Sequence, residues 1–265
     1  MRITGTTQLL GLIGDPVSQA RTPVMANELL ERRKKLGPHV LVPMHVAFDE
    51  LEQFVSGLRT MQNFGGAVVT MPHKTRMAAL IDELTPESML VGAVNVIRRL
   101  AGGKLAGTVL DGEGFVDGLH AAGHTVAGKT CVLVGAGGAA SAIAFALAKH
   151  GCSSLCLLNR TSSKSSTLAE RLRETFPEVQ VTVELPRHST FDIAINGTSL
   201  GMKPGDHLPM DEALIDRTTL VAECVISPEI TALLEVAKRR GRRIHTGVPM
   251  LAAQINLMLA FMGVE

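Results

Sequence analysis

Gly135-Ala136-Gly137-Gly138-Ala139-Ala140 stands between an apolar run, Thr130–Val134, and an alanine-rich run, Ala139–His150. This is the spacing G-x-G-x-x-A. Gly135 permits a tight turn, Gly137 lets the backbone approach a pyrophosphate, and Ala140 is small enough for close helix–strand packing. The unpaired N–H groups at the start of the helix would face the anion. Glycine-rich turns also serve purely structural ends, so the chemistry rests on context: a strand before, a helix after, and a second strand at Leu155–Leu158. The end of that second strand selects the cofactor. NAD would want Asp or Glu there for its ribose hydroxyl; the chain has Asn159-Arg160-Thr161, then Lys164. Arg160 and Lys164 would attract a 2′-phosphate, the bland alternative being an ordinary polar loop. The expected cofactor is therefore NADP.

These residues need a large scaffold. The 265 residues suffice for two domains. Hydrophobic residues at 46% and charged residues at 19% exclude disordered, coiled-coil and collagen-like chains. Lys and Arg number 26 against 25 Asp and Glu, so no basic excess marks a nucleic-acid or anionic-membrane partner. The aromatic residues are all Phe, which argues against a base-stacking platform. Four cysteines, Cys131, Cys152, Cys156 and Cys224, are too sparse for a disulfide scaffold. Cys152 and Cys156 lack zinc-finger partners and read as buried reduced thiols, with no metal expected. No leader and no 18-residue apolar run is present, so a cytoplasmic protein is expected.

Periodicity fills in the elements. Leu9–Ile13 reads as a strand ending in the Gly14-Asp15-Pro16 turn, Val24–Lys35 as a helix, and Phe48–Met61 as another. Val40–Val46 and Gly66–Thr70 read as buried strands of a parallel sheet. After Gly128, strand and helix alternate: Ala139–His150 is stopped by Gly151, and Ser165–Thr175 is followed by Ile193–Ile195. That alternation predicts a parallel sheet with right-handed crossovers. Leu251–Met262 reads as an apolar helix free to return to the first domain.

Eight blocks in order make the chain resemble the shikimate dehydrogenase family over nearly its whole length. They are Gly14-Asp15-Pro16-Val17, Val69-Thr70-Met71-Pro72-His73-Lys74, Gly92-Ala93-Val94-Asn95, Asp111-Gly112-Glu113-Gly114-Phe115, the glycine loop, Asn159-Arg160-Thr161, Asn196-Gly197-Thr198-Ser199-Leu200-Gly201-Met202, and Gly247 with Met250-Leu251 and Gln254. The resemblance implies an α/β chain of two domains, a substrate domain over 1–106 and an NADP-binding Rossmann domain over 107–242. A C-terminal helix within 243–265 would return to the first. The implied reaction is reversible hydride transfer between NADP and a ring hydroxyl of shikimate. Lys74 would be the catalytic lysine and Asp111 its partner, because one group must move the hydroxyl proton and another must orient it. Thr70, Asn95 and Gln254 match positions that bind the substrate's hydroxyls. Thr198, Cys224 and Gly247 match cofactor positions. His73 is expected to be structural.

The chain departs from the family where the substrate carboxylate is held. The usual Ser-x-Ser-Pro turn is Ala20-Arg21-Thr22-Pro23, a Tyr is replaced by Ile226, and the Asn-Thr before the catalytic Asp is Val109-Leu110. Two of three hydroxyl donors are absent. At roughly 1.5–3 kcal/mol for each hydrogen bond to a charged group, about 3–6 kcal/mol of shikimate binding is in question. Arg21 either reaches the pocket as a bidentate replacement or points to solvent. Thr22 resembles family variants that accept quinate. The expectation is an NADP-dependent dehydrogenase of shikimate or a related ring hydroxy acid, monomeric or homodimeric. The alternatives are a quinate or other cyclic hydroxy-acid dehydrogenase, or a non-catalytic NADP(H)-responsive regulatory protein on the same fold. A folate-type reductase shares the layout but not the Asn159-Arg160-Thr161 and Gln254 blocks.

Overall fold

A computed structural model describes residues 3–32, 39–187 and 189–264. The chain forms two compact units, one running up to Leu110 and resuming at Gln254, the other spanning Asp111–Ala253.

The first unit carries β1 (Gln8–Gly14), β2 (His39–His45), β3 (Phe64–Val69), β4 (Glu83–Leu84), β5 (Val96–Arg99) and β6 (Leu105–Thr108) in the order β2-β1-β3-β5-β6-β4. β1 runs parallel to β2 and β3, whereas β5 is antiparallel to β3 and β6. The sheet is therefore mixed, and the antiparallel pair at its centre escaped the sequence reading. Its strands are too short for a clear period. Because side chains alternate along β1, Leu10 and Leu12 join one core and Ile13 the other. Leu10 and Leu12 meet Ala26 and Leu30 of α1 (Thr22–Arg32) and Ile255, Met258 and Leu259. Ile13 meets Leu51, Val55 and Leu58 of α2 (Leu51–Thr60). Two short helices, α3 (Lys74–Ala78) and α4 (Pro86–Val91), complete the unit.

Several boundaries move. The helix expected over Val24–Lys35 begins at Thr22; its expected residues 33–35 lie outside the described residues. The helix expected at Phe48 opens with a 3₁₀ turn, Phe48–Glu50. β2 is an edge strand whose only buried residue is Leu41, not the buried strand expected. Pro43 within it fits an edge, where no ladder N–H is needed. β6, between β5 and β4 in the sheet, extends to Thr108, so this unit runs past residue 106.

The second unit is a doubly wound sheet. It contains α5 (Asp111–Ala121), β7 (Thr130–Val134), α6 (Gly138–Lys149), β8 (Ser154–Leu158), α7 (Ser162–Thr175), β9 (Gln180–Thr182), β10 (Phe191–Asn196), α8 (Glu212–Asp216), β11 (Thr218–Glu223), α9 (Ala232–Arg239) and β12 (Arg243–His245). The strand order is β12-β11-β10-β7-β8-β9, all parallel as expected. Written from its first strand, this is the order of a dinucleotide-binding fold, with the winding reversing between β7 and β10. Gly151 stops α6 in a left-handed conformation, φ +76°, while Cys152 N–H reaches back to Leu147. α10 (Val248–Phe261) leads the chain back to the first unit. No helix among the described residues is long and apolar enough to cross a membrane.

Candidate functional site

In the first unit the expected residues gather at the carboxyl ends of β1 and β3, where that sheet's winding reverses. Thr70 follows β3, and its N–H bonds to Ile13 O at 2.8 Å. A Cβ on Gly14 would lie 2.4 Å from Thr70 Cγ2, so glycine there makes room for the threonine. Lys74 opens α3, half-buried, and its carbonyl accepts from Val94 N–H at 2.9 Å. Asn95, next along, is 1% exposed and donates to Gln254 Oε1 at 3.2 Å. Its own Oδ1 accepts from the N–H of Leu110, the residue before Asp111, at 2.8 Å. Asn95 and Gln254 are thus bonded directly, while Lys74 and Thr70 are joined to Asn95 through its chain neighbour Val94 and through Val69, whose N–H donates to Asn95 O at 2.7 Å. His73 is wholly buried, bonds Val46 O at 2.8 Å and stacks on Phe48, the structural part expected of it. Ala20, Arg21 and Thr22 lead into α1, with Arg21 exposed and Thr22 buried.

In the second unit Asp111 is the first residue of α5 and 3% exposed. The glycine loop follows β7. Gly135 has φ +122°, open only to glycine at no strain. Nothing lies within 4 Å of the place a Gly137 Cβ would take, and α6 has no side-chain cap. The first turn of α6 therefore keeps N–H groups available to an anion. Ala136, Gly138 and Ala139 complete this cradle. Asn159 turns the next loop by donating to Thr161 O at 2.9 Å. Arg160 and Lys164 are exposed beside Thr161, which precedes α7 without capping it. These groups fit a phosphorylated dinucleotide: an open glycine cradle, and two cations where an acid would repel a 2′-phosphate.

Across the reversal, the turn after β10 closes the cradle. Cβ atoms on Gly135 and Gly197 would meet, respectively, the Gly197 backbone at 3.0 Å and Ala140 Cβ at 2.8 Å. Asn196 Oδ1 accepts from Thr198 N–H and Oγ1 at 3.0 and 2.7 Å, and Asn196 Nδ2 donates to Leu200 O at 3.0 Å. Cys224 N–H bonds Asn196 O at 3.0 Å. Gly247 lies so near this strand end that a Cβ would stand 2.3 Å from Val225 O. Glu223, fully buried at the end of β11, has its carboxyl pushed up to about 7 by burial, against hydrogen bonds from Thr231 and Asn196. His245 falls to about 4, chiefly through burial and also through nearby His124. Among the described residues no group of three or more His, Cys, Asp or Glu could hold a metal.

The family profile described as shikimate dehydrogenase substrate binding domain matches residues 12–97, and that described as shikimate / quinate 5-dehydrogenase matches residues 119–202. The chain is 40% identical over 269 residues to the shikimate dehydrogenase (NADP(+)) of Rubrobacter xylanophilus, covering all of this chain and 90% of that protein. The chain belongs to the shikimate dehydrogenase family. It is also 34% identical over 266 residues to the quinate/shikimate dehydrogenase of Escherichia coli, covering 96% and 91% of the two chains. The crystal structure of shikimate 5-dehydrogenase from Thermus thermophilus in complex with NADP(H) and shikimate superposes with a TM-score of 0.82 at 29% identity, covering 96% and 93% of the chains.

Three of the positions that depart from the family pattern are packing residues. Val109 is buried, and Ala20 and Leu110 pack against the apolar core that holds Ile255 and Met258. Glu223 and Thr231 were missed at the level of sequence. A lone Glu ending an apolar strand carries no local sign that it will be buried.

Proposed function

We propose that this chain is an NADP-dependent oxidoreductase that reversibly oxidises a ring hydroxyl of shikimate or a closely related hydroxylated ring acid. The observation that carries the reading is the neighbourhood of Lys74, Thr70, Asn95 and Gln254 in a chain 40% identical to a shikimate dehydrogenase. NADP, when bound, supplies the hydride acceptor. Lys74 takes the hydroxyl proton on oxidation and returns it on reduction, with Asp111 orienting the exchange. Thr70, Asn95 and Gln254 hold the ring hydroxyls; the Asn95–Gln254 bond fixes both amides before substrate arrives. Gly135, Gly137 and the start of α6 receive the pyrophosphate, Arg160 and Lys164 the 2′-phosphate, and Thr198, Cys224 and Gly247 the nicotinamide end.

The Ala20-Arg21-Thr22 turn departs from the family's Ser-x-Ser pattern and bears on a second substrate. Thr22 is the buried member of that turn, and a relative carrying the name quinate/shikimate dehydrogenase supports quinate as the alternative. The reading places the protein in the cytoplasm, as a monomer or homodimer acting on a small molecule alone.

NADP⁺ reduction with saturating shikimate, run beside Lys74→Ala, tests the assignment. Turnover should fall by about 10²–10⁴-fold in the variant while NADP⁺ binding stays unchanged. Loss of binding together with turnover would remove Lys74 from the catalytic role.

A further inference from the structure

We propose that Glu223 and Thr231 are positioning residues for the cofactor, acting through Asn196 to fix the turn over residues 197–201 against the glycine loop. The inference rests on the reading of that loop as the NADP cradle.

The connection is continuous. Thr231 Oγ1 donates to Glu223 Oε2 at 3.0 Å, and Asn196 Nδ2 reaches the same oxygen at 3.4 Å. Asn196 has thereby one amide orientation, with its nitrogen on Glu223 and Leu200 and its oxygen on Thr198. Thr198 Oγ1 in turn accepts from Leu200 N–H at 3.0 Å. Gly201 has φ +99°, and a Cβ there would stand 3.2 Å from Thr231 Cβ and Cγ2, so the turn also leans on Thr231 directly. At its other end the turn meets Gly135 and Ala140. A displacement begun at Glu223 reaches the cradle through these contacts.

The group is also one that can take up a charge. Glu223 Oε1 is buried without a partner. On the elements flanking it the titratable groups are Asp192 on β10, His245 on β12, Cys224 next in the chain, and Glu235, Lys238 and Arg239 on α9; none contributes to its shift. Ionisation of Glu223 would put an unpaired negative charge behind a turn that borders an anion site, weakening NADP⁺ binding.

The test is calorimetric titration of NADP⁺ into the full chain and its Thr231→Val, Thr231→Ser and Glu223→Gln variants, with steady-state kinetics alongside. Thr231 Oγ1 also accepts from Leu234 N–H at 3.4 Å as the N-cap of α9, so Thr231→Val loses that cap along with the bond to Glu223; it should raise the NADP⁺ Kd about three- to tenfold, with kcat at saturating cofactor changed less than about twofold. Thr231→Ser should restore the affinity. In the unaltered chain Kd should rise between about pH 7 and 8.5, across the titration of the raised carboxyl, and in Glu223→Gln that rise should vanish. Glu223→Gln keeps the volume of the side chain, so the pH comparison decides the matter should Thr231→Val not fold. An unchanged Kd in the Thr231→Val variant, a parallel fall of kcat with affinity, or a rise with pH that Glu223→Gln retains would overturn the inference. Failure of the unaltered chain to bind NADP⁺ would overturn the cofactor reading and this inference with it.

Discussion

Two residues show how placement gives a side chain its work. Arg160 lies exposed after β8, where an acid would exclude a 2′-phosphate. Arg160→Ala should weaken NADP⁺ binding by about ten- to a hundredfold, the equivalent of one charge-assisted hydrogen bond, and leave NAD⁺ binding untouched. Equal losses for both nucleotides, read by calorimetry, would place Arg160 elsewhere than on the phosphate. His245 is the opposite case, a buried ring set edge-on to Phe115 and His124. Its folded pKa of about 4 is below the ordinary 6.5, so the unfolded chain binds the extra proton. Its contribution to stability is complete above about pH 6.5 and lost as pH falls toward 4, up to about 3 kcal/mol. Glu223 has the reverse sign: its folded value of about 7 favours the native state at low pH, an advantage lost as pH rises through 7. His245→Gln should therefore flatten the acid limb of a stability–pH curve, measured by urea unfolding from about pH 4 to 7, and leave the alkaline limb as it is. The position of Arg160 just after β8 was legible in the sequence because it depends only on chain neighbours. Neither His245 nor Glu223 was, since burial by other strands is what changes their chemistry.

Elements meet where small residues let them. α5 and α6 approach so closely that a Cβ on Gly112 would stand 2.2 Å from Ala142 O, a backbone atom unable to yield. Across the same seam Glu113 binds Lys149 at 2.7 Å and His150 at 2.9 Å. Gly112→Ala should force the helices apart, at about 1–3 kcal/mol or more by the usual penalty of overpacking. Because Asp111 is the neighbouring residue, activity should fall with stability; a variant with unchanged Tm and turnover would show the seam to be looser. The Asp-Gly-Glu-Gly-Phe block announced a family resemblance, yet only helix packing explains why its second position is glycine. The parallel sheet of the second unit was readable from alternating strand and helix patterns. β5 and β6 were not, because antiparallel pairing between four-residue strands leaves too short a period.

For the whole molecule, the decisive fact is that residues from Gln254 onward belong to the first unit. Ile255, Met258, Leu259, Met262 and Val264 are buried there against Leu10, Leu12 and Val96. At about 1.5–3 kcal/mol for each buried side chain, their loss would exceed much of the roughly 5–15 kcal/mol that holds a typical protein folded. A chain ending at Ala253 should fail to yield a folded first unit, with the missing cooperative transition visible by calorimetry. An unchanged melting profile would contradict the shared core.

By itself the sequence determined the features that depend on neighbours along the chain. The glycine loop, the cations after the second strand and the ordered blocks that place the chain in its family are all encoded by type and spacing. Tertiary structure alone decided what depends on residues far apart: the Asn95–Gln254 bond across 159 positions, the burial that raises Glu223 and lowers His245, and the fit of Gly197 against Gly135. The reason is physical. Turn geometry and helix capping are set within a few residues, whereas desolvation and the satisfaction of buried polar groups depend on which surfaces the fold brings together.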